Sequence, residues 1–528
     1  MIGRQASGRL VLIALIGILL SSCGRVDSAN DLRQAGEATR QATGTEVSWS
    51  GEMELKPLVP AQADVVAIEQ ALDLALFNNR ALRADLEVIA QAKADLVQAG
   101  LLSNPVLSFA GMLPEGGGRA DLTFGLSKDV ADLWLIPTRK QSAQAILQQR
   151  ILAVADTAVT LVTEVRSRYY DLQYQSQAID LQEQNLRVLR DVIELTQARL
   201  KAGEAGQFDL YLTRGRLLES ELQQLQLRAD YDLTRQALLR LMGVADAREP
   251  WFPTEADTRF NALAADETAM IDTALRQRLD AQAAHWELES ALADFQQQRL
   301  RVIPSLNLGV GGERYERRAL PGRKILADTA RASVAAGQLT APELESRGER
   351  NLERRQIIDL VLGPMIEVPL PIFDQNLAQI AKAQSRAREL LQRYEEIEQR
   401  VVEGVRSALT RRRLAEDRVR LYRESLLPVQ QTALELARKT YQAGRESIVA
   451  VLLAQESLIL TRLSYAASVR DLATATADLE RQLSGRIPDE LLRPLTTQPA
   501  PASQPGSTDA PKSPATQQAE KGESETER

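Results

Sequence analysis

Val165-Arg-Ser-Arg-Tyr-Tyr-Asp-Leu172 opens a stretch in which Ile179, Leu186, Ile193 and Leu200 follow at an unbroken seven-residue spacing. Such a stripe stays on one side of an underwound helix and requires a partner helix. No proline interrupts residues 138 to 200, so this helix is expected to approach 95 Å at about 1.5 Å per residue. Globular domains do not contain helices of that length. Gly203 and Gly206 break the pattern, and a second helical pattern runs from Phe208 to Met242. The stretch is therefore read as one arm of a very long helical hairpin.

The same construction recurs further along. Val165-Arg166-Ser167 returns as Val405-Arg406-Ser407, Lys201-Ala202-Gly203 as Gln442-Ala443-Gly444, and Leu241-Met242-Gly243 as Leu483-Ser484-Gly485. The offset is nearly constant, which marks a duplicated unit. The second hairpin rises from Asn376 to Tyr441, turns at Gly444 and returns to Leu483, with a local kink expected at Pro428. Shorter helical patterns over 65–101 and 266–301 precede the hairpins; Glu69, Leu72, Leu76 and Leu86 belong to the first.

Between each short helix and its hairpin lies a pair of segments with period-two alternation. Leu107 and Phe109, then Leu122, Phe124 and Leu126, alternate with Ser108, Thr123, Gly125 and Ser127. In the second unit Leu306, Leu308 and Val310 alternate with Asn307, Gly309 and Gly311, and later Ile366, Val368, Leu370 and Ile372 with Glu367, Pro369 and Pro371. Gly116-Gly117-Gly118 reads as a hairpin turn. The alternation suits a membrane barrel with a wet lumen and equally an antiparallel sheet on a soluble core.

The N-terminus supplies context. Arg4 and Arg9 precede an apolar run from Leu10 to Leu20, 11 residues and so too short to span a bilayer, which needs about 20. It ends in Leu20-Ser21-Ser22-Cys23, which resembles the lipobox of bacterial lipoproteins. Residues 1–22 are then a signal peptide, and Cys23 is the lipidation site. Two or three acyl chains anchor stably where one does not. Gly24 after the cysteine resembles the pattern of lipoproteins sent to the outer membrane. An exported, lipidated chain with four strands and helices too long for a globular core favours the barrel. Four strands cannot close one and open edges are forbidden in lipid, so several chains must contribute; three give twelve strands.

Composition removes other classes. The chain has 528 residues, 4% aromatic and 26% charged, a balance suited to long helices with aliphatic seams. Its net charge of −7, becoming −9 once Arg4 and Arg9 are removed, and its lack of a long basic block argue against nucleic acid. One histidine and one cysteine preclude an intrachain disulfide, a Cys/His zinc cluster or a His-rich metal centre. His285, in Ala-Ala-His-Trp-Glu, reads as a packed or surface residue. No phosphate-binding glycine loop is present, and no cofactor or enzymatic activity is expected. Residues 23–64 read as a polar, extended, lipidated linker. Residues 486–528, without an aromatic residue and rich in Pro, Ser, Thr, Gln and Glu, read as a disordered tail.

At this point the chain resembles the TolC-type outer-membrane factors of tripartite efflux systems over residues 65–485. The resemblance is carried by Arg199-Leu-Lys-Ala-Gly203-Glu-Ala-Gly-Gln-Phe-Asp209-Leu and Thr440-Tyr-Gln-Ala-Gly444-Arg-Glu-Ser-Ile-Val449, together with the duplication. Val368-Pro-Leu-Pro-Ile-Phe-Asp374-Gln-Asn376 resembles the strand-to-helix joint of the branch exporting heavy-metal cations. The resemblance implies a mainly α homotrimer in which a twelve-stranded transmembrane β-barrel is continued by a periplasmic α-helical tunnel. A periplasmic adaptor (membrane fusion) protein would dock at the tips, and an inner-membrane pump of the resistance-nodulation-division type would supply the energy. The repeats are placed at 65–250 and 251–485. Carried over, Ala202, Gly203, Glu204, Ala443, Gly444 and Arg445 are the adaptor-docking tips. The positions that hold acidic rings in some members correspond here to Ala450 and Leu453, so that gate is not expected. Asp209 remains as a possible constriction, with helix capping as its simpler role. An arginine-rich insertion over 313–355 departs from the pattern; it reads as a solvated external loop, with lipopolysaccharide contact as the alternative.

The same duct could serve small molecules or metal cations from a pump, or a polypeptide from a type I secretion partner. A periplasmic coiled-coil tether would explain the anchor and the heptads, but not the paired strands.

Overall fold

A computed structural model describes residues 26–49, 56, 65–113, 120–203, 206–245, 251–255, 261–263, 266–302, 305–316, 331–337, 358–487 and 492–494. The signal segment, Cys23, Gly116–Gly118, Glu204, and most of the insertion and of the tail lie outside the described residues. The first unit contains α1 (Ala29–Thr43), β1 (Val65–Val66), α2 (Ile68–Asn78), α3 (Arg80–Ala99), β2 (Val106–Met112), β3 (Asp121–Asp129), α4 (Asp132–Lys201), α5 (Gln207–Leu241) and β4 (Phe252–Pro253). The second contains β5 (Asn261–Leu263), α6 (Glu267–Gln277), α7 (Leu279–Leu300), β6 (Asn307–Glu316), β7 (Ile358–Glu367), α8 (Leu377–Leu421), a π-turn (Tyr422–Leu426), α9 (Leu427–Gln442), α10 (Ile448–Leu483) and β8 (Leu492–Pro494). The duplication expected from the sequence is present. Helices α2 and α6 have 11 residues each, Val165 and Val405 are both fully buried, and Leu241 and Leu483 are equally buried.

Helix α4 is 70 residues long, about 105 Å at the α-helical rise. Its buried face runs through Val165, Tyr169, Leu172 and Leu186. Ile179, Ile193 and Leu200 of the seven-residue stripe are half-buried. Polar contacts take over toward the far end: Gln182 Nε2 donates to Ser220 O at 2.8 Å and lies 2.7 Å from Ser220 Oγ, joining α4 to α5. Near the sheet α3 packs on α4, α4 on α7, and α7 on α8; further down α5 packs on α4, α4 on α10, and α10 on α8 and α9. Each level is thus a row of four helices. The two levels are spliced by short polar joints, as where Asn79 Nδ2 donates to Leu241 O at 2.9 Å and α3 abuts the end of α5.

The four long strands form one antiparallel sheet in the order β2-β3-β6-β7. Directly opposed residues share a face. The register lines up Leu107 with Leu126 and Val310, and Phe109 with Phe124, Gly312 and Leu362. This face is a continuous apolar surface, exposed in the single chain at Leu107, Phe109, Leu126, Val310, Leu362 and Ile366. The opposite face carries the row Ser108, Gly125, Gly311, Gly363 and, beside it, Thr123 and Glu313. Gly312 is demanded by crowding: a Cβ there would lie 2.5 Å from the Phe124 ring and 2.7 Å from Leu362.

Two expectations are corrected. The fourth strand is Ile358–Glu367 rather than the alternating run from Ile366 to Ile372. Pro369 and Pro371 have no N–H for a ladder, and Val368–Ile372 runs outside any strand. The extended linker also contains structure, because α1 packs along α4. Leu32, Ala35 and Ala42 are buried beneath it, Lys93 pairs with Asp31 at 2.9 Å, and fully buried Trp49 donates from Nε1 to Leu76 O at 3.2 Å. Small residues at helical spacing, with Gly44 closing the helix at φ 69°, offset its polar composition.

Candidate functional site

The two hairpin turns are built alike from their sequences. At the first, Ala202 N–H donates to Ala198 O at 3.1 Å and Gly203 N–H to Leu200 O at 3.1 Å, with Gly203 at φ 77°. At the second, Gly444 N–H donates to Tyr441 O at 3.0 Å and Arg445 N–H to Thr440 O at 3.0 Å, with Gly444 at φ 70°. The second pair of bonds is the Schellman arrangement, and at both turns a left-handed glycine donates back to a carbonyl of the last helical turn. A Cβ on either glycine would meet nothing within 4 Å. Conformation alone therefore demands glycine, and the outer surface of each turn stands open. Ala202, Ala443 and Arg445 are exposed beside them.

The turns sit side by side. The Arg199 guanidinium lies 4.6 Å from the centre of the Tyr441 ring, linking the end of α4 to the end of α9. Behind them Leu189, Leu434, Ile448, Val451, Leu452 and Leu458 form a small core shared by both hairpins. Asp209 Oδ2 accepts from Gly206 N–H at 3.3 Å, so its carboxylate caps α5. Leu453 is exposed and Ala450 half-buried, and neither brings a carboxylate. His285 is an exposed residue of α7, its ring 6.0 Å from that of Tyr394.

Sequence reasoning missed an ionic cluster where the two repeats meet. Arg166 Nη1 lies 2.6 Å from Glu480 Oε2, and its Nη2 donates to Thr43 O at 3.5 Å. Arg412, almost completely buried, pairs with Glu416 at 3.2 Å, and burial lowers its pKa. The recurring Val-Arg-Ser was a signal for Arg166, but nothing in a lone helix pattern names its partner 314 positions away.

A sheet with a lipid-compatible face, continued by two helical arms about 100 Å long that end in two open turns, defines a tunnel-forming membrane duct component. The outer membrane efflux protein family matches residues 71–244 and 270–485, one segment per repeat, and the chain belongs to that family. The multidrug resistance outer membrane protein MdtP of Escherichia coli strain K12 is 26% identical over 343 residues, 58% of this chain and 68% of that protein. The cation efflux system protein CusC of Escherichia coli O6:H1 is 24% identical over 426 residues, 78% of this chain and 85% of that one. Solved structures share the fold. One of CusC superposes with a TM-score of 0.62 at 18% identity, over 82% of this chain and 96% of that chain. The outer-membrane channel OprN gives 0.61 at 16% identity, over 84% and 99%. The chain is an outer-membrane channel component of an efflux system, in a family whose members work with an adaptor and an inner-membrane pump.

Proposed function

We propose that three copies of this chain close a twelve-stranded barrel and a tunnel of twelve helices that passively conducts small molecules or metal cations out of the cell. The observation that carries this reading is that barrel and tunnel share the same open edges. In the sheet, β2 of the first repeat and β7 of the second are unpaired edge strands. Below it, α3 and α5 of the first repeat stand at one end of the four-helix row, and α8 and α9 of the second at the other. One rotation therefore joins first-repeat edges to second-repeat edges at every level, the heterologous contact that closes a ring. The duct needs no catalytic group, because selectivity and energy belong to the pump, which we take to be of the resistance-nodulation-division type.

In this reading a periplasmic adaptor protein docks on Ala202, Gly203, Glu204, Ala443, Gly444 and Arg445, where the side-chain-free turns let a partner approach closely. Cys23 carries the lipid. α1 begins near Lys93, six positions before the end of α3 at Ala99, so the N-terminal end of α1 stands near the base of the sheet. The test is single-channel conductance of the lipidated protein in planar bilayers, with mass measured in detergent. A trimer with discrete steps is expected; a monomer, or a trimer that never conducts even with Gly203 and Gly444 substituted, overturns the duct. Loss of acyl labelling in Cys23→Ser tests the anchor.

A further inference from the structure

The second hairpin's rising arm is interrupted by one π-turn, in which Leu427 N–H bonds to Tyr422 O. A π-turn holds one residue more than an α-turn. Its place is informative because the helix carries two stripes, and both slip by one residue there. On the inner face Val405, Arg412, Val419 and Leu426 recur every seven positions; after the π-turn the stripe resumes at Leu434 and Tyr441 rather than Ala433 and Thr440. On the outer face Leu414 and Leu421 are followed by Val429 and Leu436, not by Pro428 and Glu435. These four side chains are 51%, 56%, 61% and 62% exposed, and they sit opposite an inner stripe whose slip is fixed by buried Leu434 beside exposed Ala433. With residues 422–426 in an α-helix, everything below would turn by about 100°, and the inner stripe would leave α10.

The opposite edge of the helix row carries a matching stripe. On α5, Tyr211, Leu218 and Leu225 are exposed at an unbroken seven-residue spacing. The two hairpin turns are level, because Arg199 meets Tyr441. Heights above them then follow from helical rise: Leu436 and Tyr211 near 10 Å, Val429 and Leu218 near 20 Å, and Leu421 and Leu225 near 30 Å, all roughly.

We infer that the π-turn is a one-residue phase insert that keeps an outer seam continuous from Leu414 to Leu436, and that the seam's occupant is α5 of a second copy of this chain. The inference rests on the trimer reading, adding which faces meet and why the seam survives the interruption.

Cysteine pairs at these exposed positions test it in the full-length protein, with disulfide-linked oligomers read on gels and mass in detergent. Leu421→Cys with Leu225→Cys reports above the π-turn; Leu436→Cys with Tyr211→Cys reports below it. Both should link copies, and Glu435→Cys with Tyr211→Cys should link at least tenfold more slowly. Deleting Glu424 makes the Leu421-to-Val429 spacing seven and should leave both links intact. Inserting one alanine after Glu424 should abolish the lower link alone. Equal or faster linking through Glu435, an upper link with no lower link, or a lower link that survives the insertion overturns the phase insert while leaving the trimer standing. Trimer mass without either link overturns the seam; monomer mass overturns the trimer itself.

Discussion

At the scale of single residues, two glycines with the same backbone sign have different reasons to be glycine. Gly444 (φ 70°) has open space around it, whereas a Cβ on Gly243 (φ 68°) would lie 2.4 Å from Asn78 O. Gly444→Ala should therefore cost only the left-handed penalty, about 1 kcal/mol, and Gly243→Ala clearly more; denaturant midpoints of the two variants measure the difference. If Gly444→Ala keeps stability but loses adaptor binding, the tip assignment gains its direct support. Asp156 gives a pH prediction. Burial first, then the nearby Asp280 carboxylate, push its pKa up, against Arg481 and Arg278. A carboxyl with a raised folded-state pKa binds protons more tightly when folded, so its contribution to stability is present at acid pH and lost as pH rises through that raised value. Asp156→Asn should raise the melting temperature at pH 7, and the gain should fade as the pH is taken toward 4 (about the unperturbed value). A gain independent of pH would contradict this assignment.

At the scale of elements, the sheet's two faces predict opposite tolerance. Phe109→Arg places a charge on the apolar face and should cost about 2–4 kcal/mol if that residue lies near the bilayer midplane. Thr123→Arg, on the other face, should assemble normally and change only conductance; membrane-fraction yield and single-channel steps separate the two. Trp49→Ala should cost about 3–5 kcal/mol and release the N-terminal segment to protease, because that ring is fully buried against the end of α2. The elements also show where sequence reading succeeds. The long arms were legible because Val165, Leu172 and Leu186 repeat over many turns. The fourth strand was misplaced because Ile366 to Ile372 alternates well in side chains while Pro369 and Pro371 lack the donors a ladder needs. α1 was overlooked because Ala35, Thr39 and Ala42 are too small to mark a helix strongly, though their spacing fits one.

For the whole molecule, hairpin arms packed in register must be shortened together. Removing one heptad at the same height from all four arms, α4, α5, α9 and α10, should preserve assembly, whereas removing it from α4 and α5 alone should lift the first turn by about 10 Å, displace Arg199 from Tyr441 and abolish adaptor coupling with the barrel intact; drug susceptibility and gel mobility distinguish these. Duplication and the turns were readable from Lys201-Ala-Gly and Gln442-Ala-Gly. The Arg166–Glu480 pair was not, since it depends on how two repeats face each other. The open edges of β2 and β7 have a further consequence for biogenesis. A lone chain cannot enter a bilayer without exposing unpaired backbone groups to hydrocarbon, yet in water it displays Leu107, Phe109 and Leu362. In the proposed trimer, insertion and association would be one concerted event, so the newly exported chain would need a chaperone over its sheet, and the yield of inserted protein should rise more steeply than in proportion to expression.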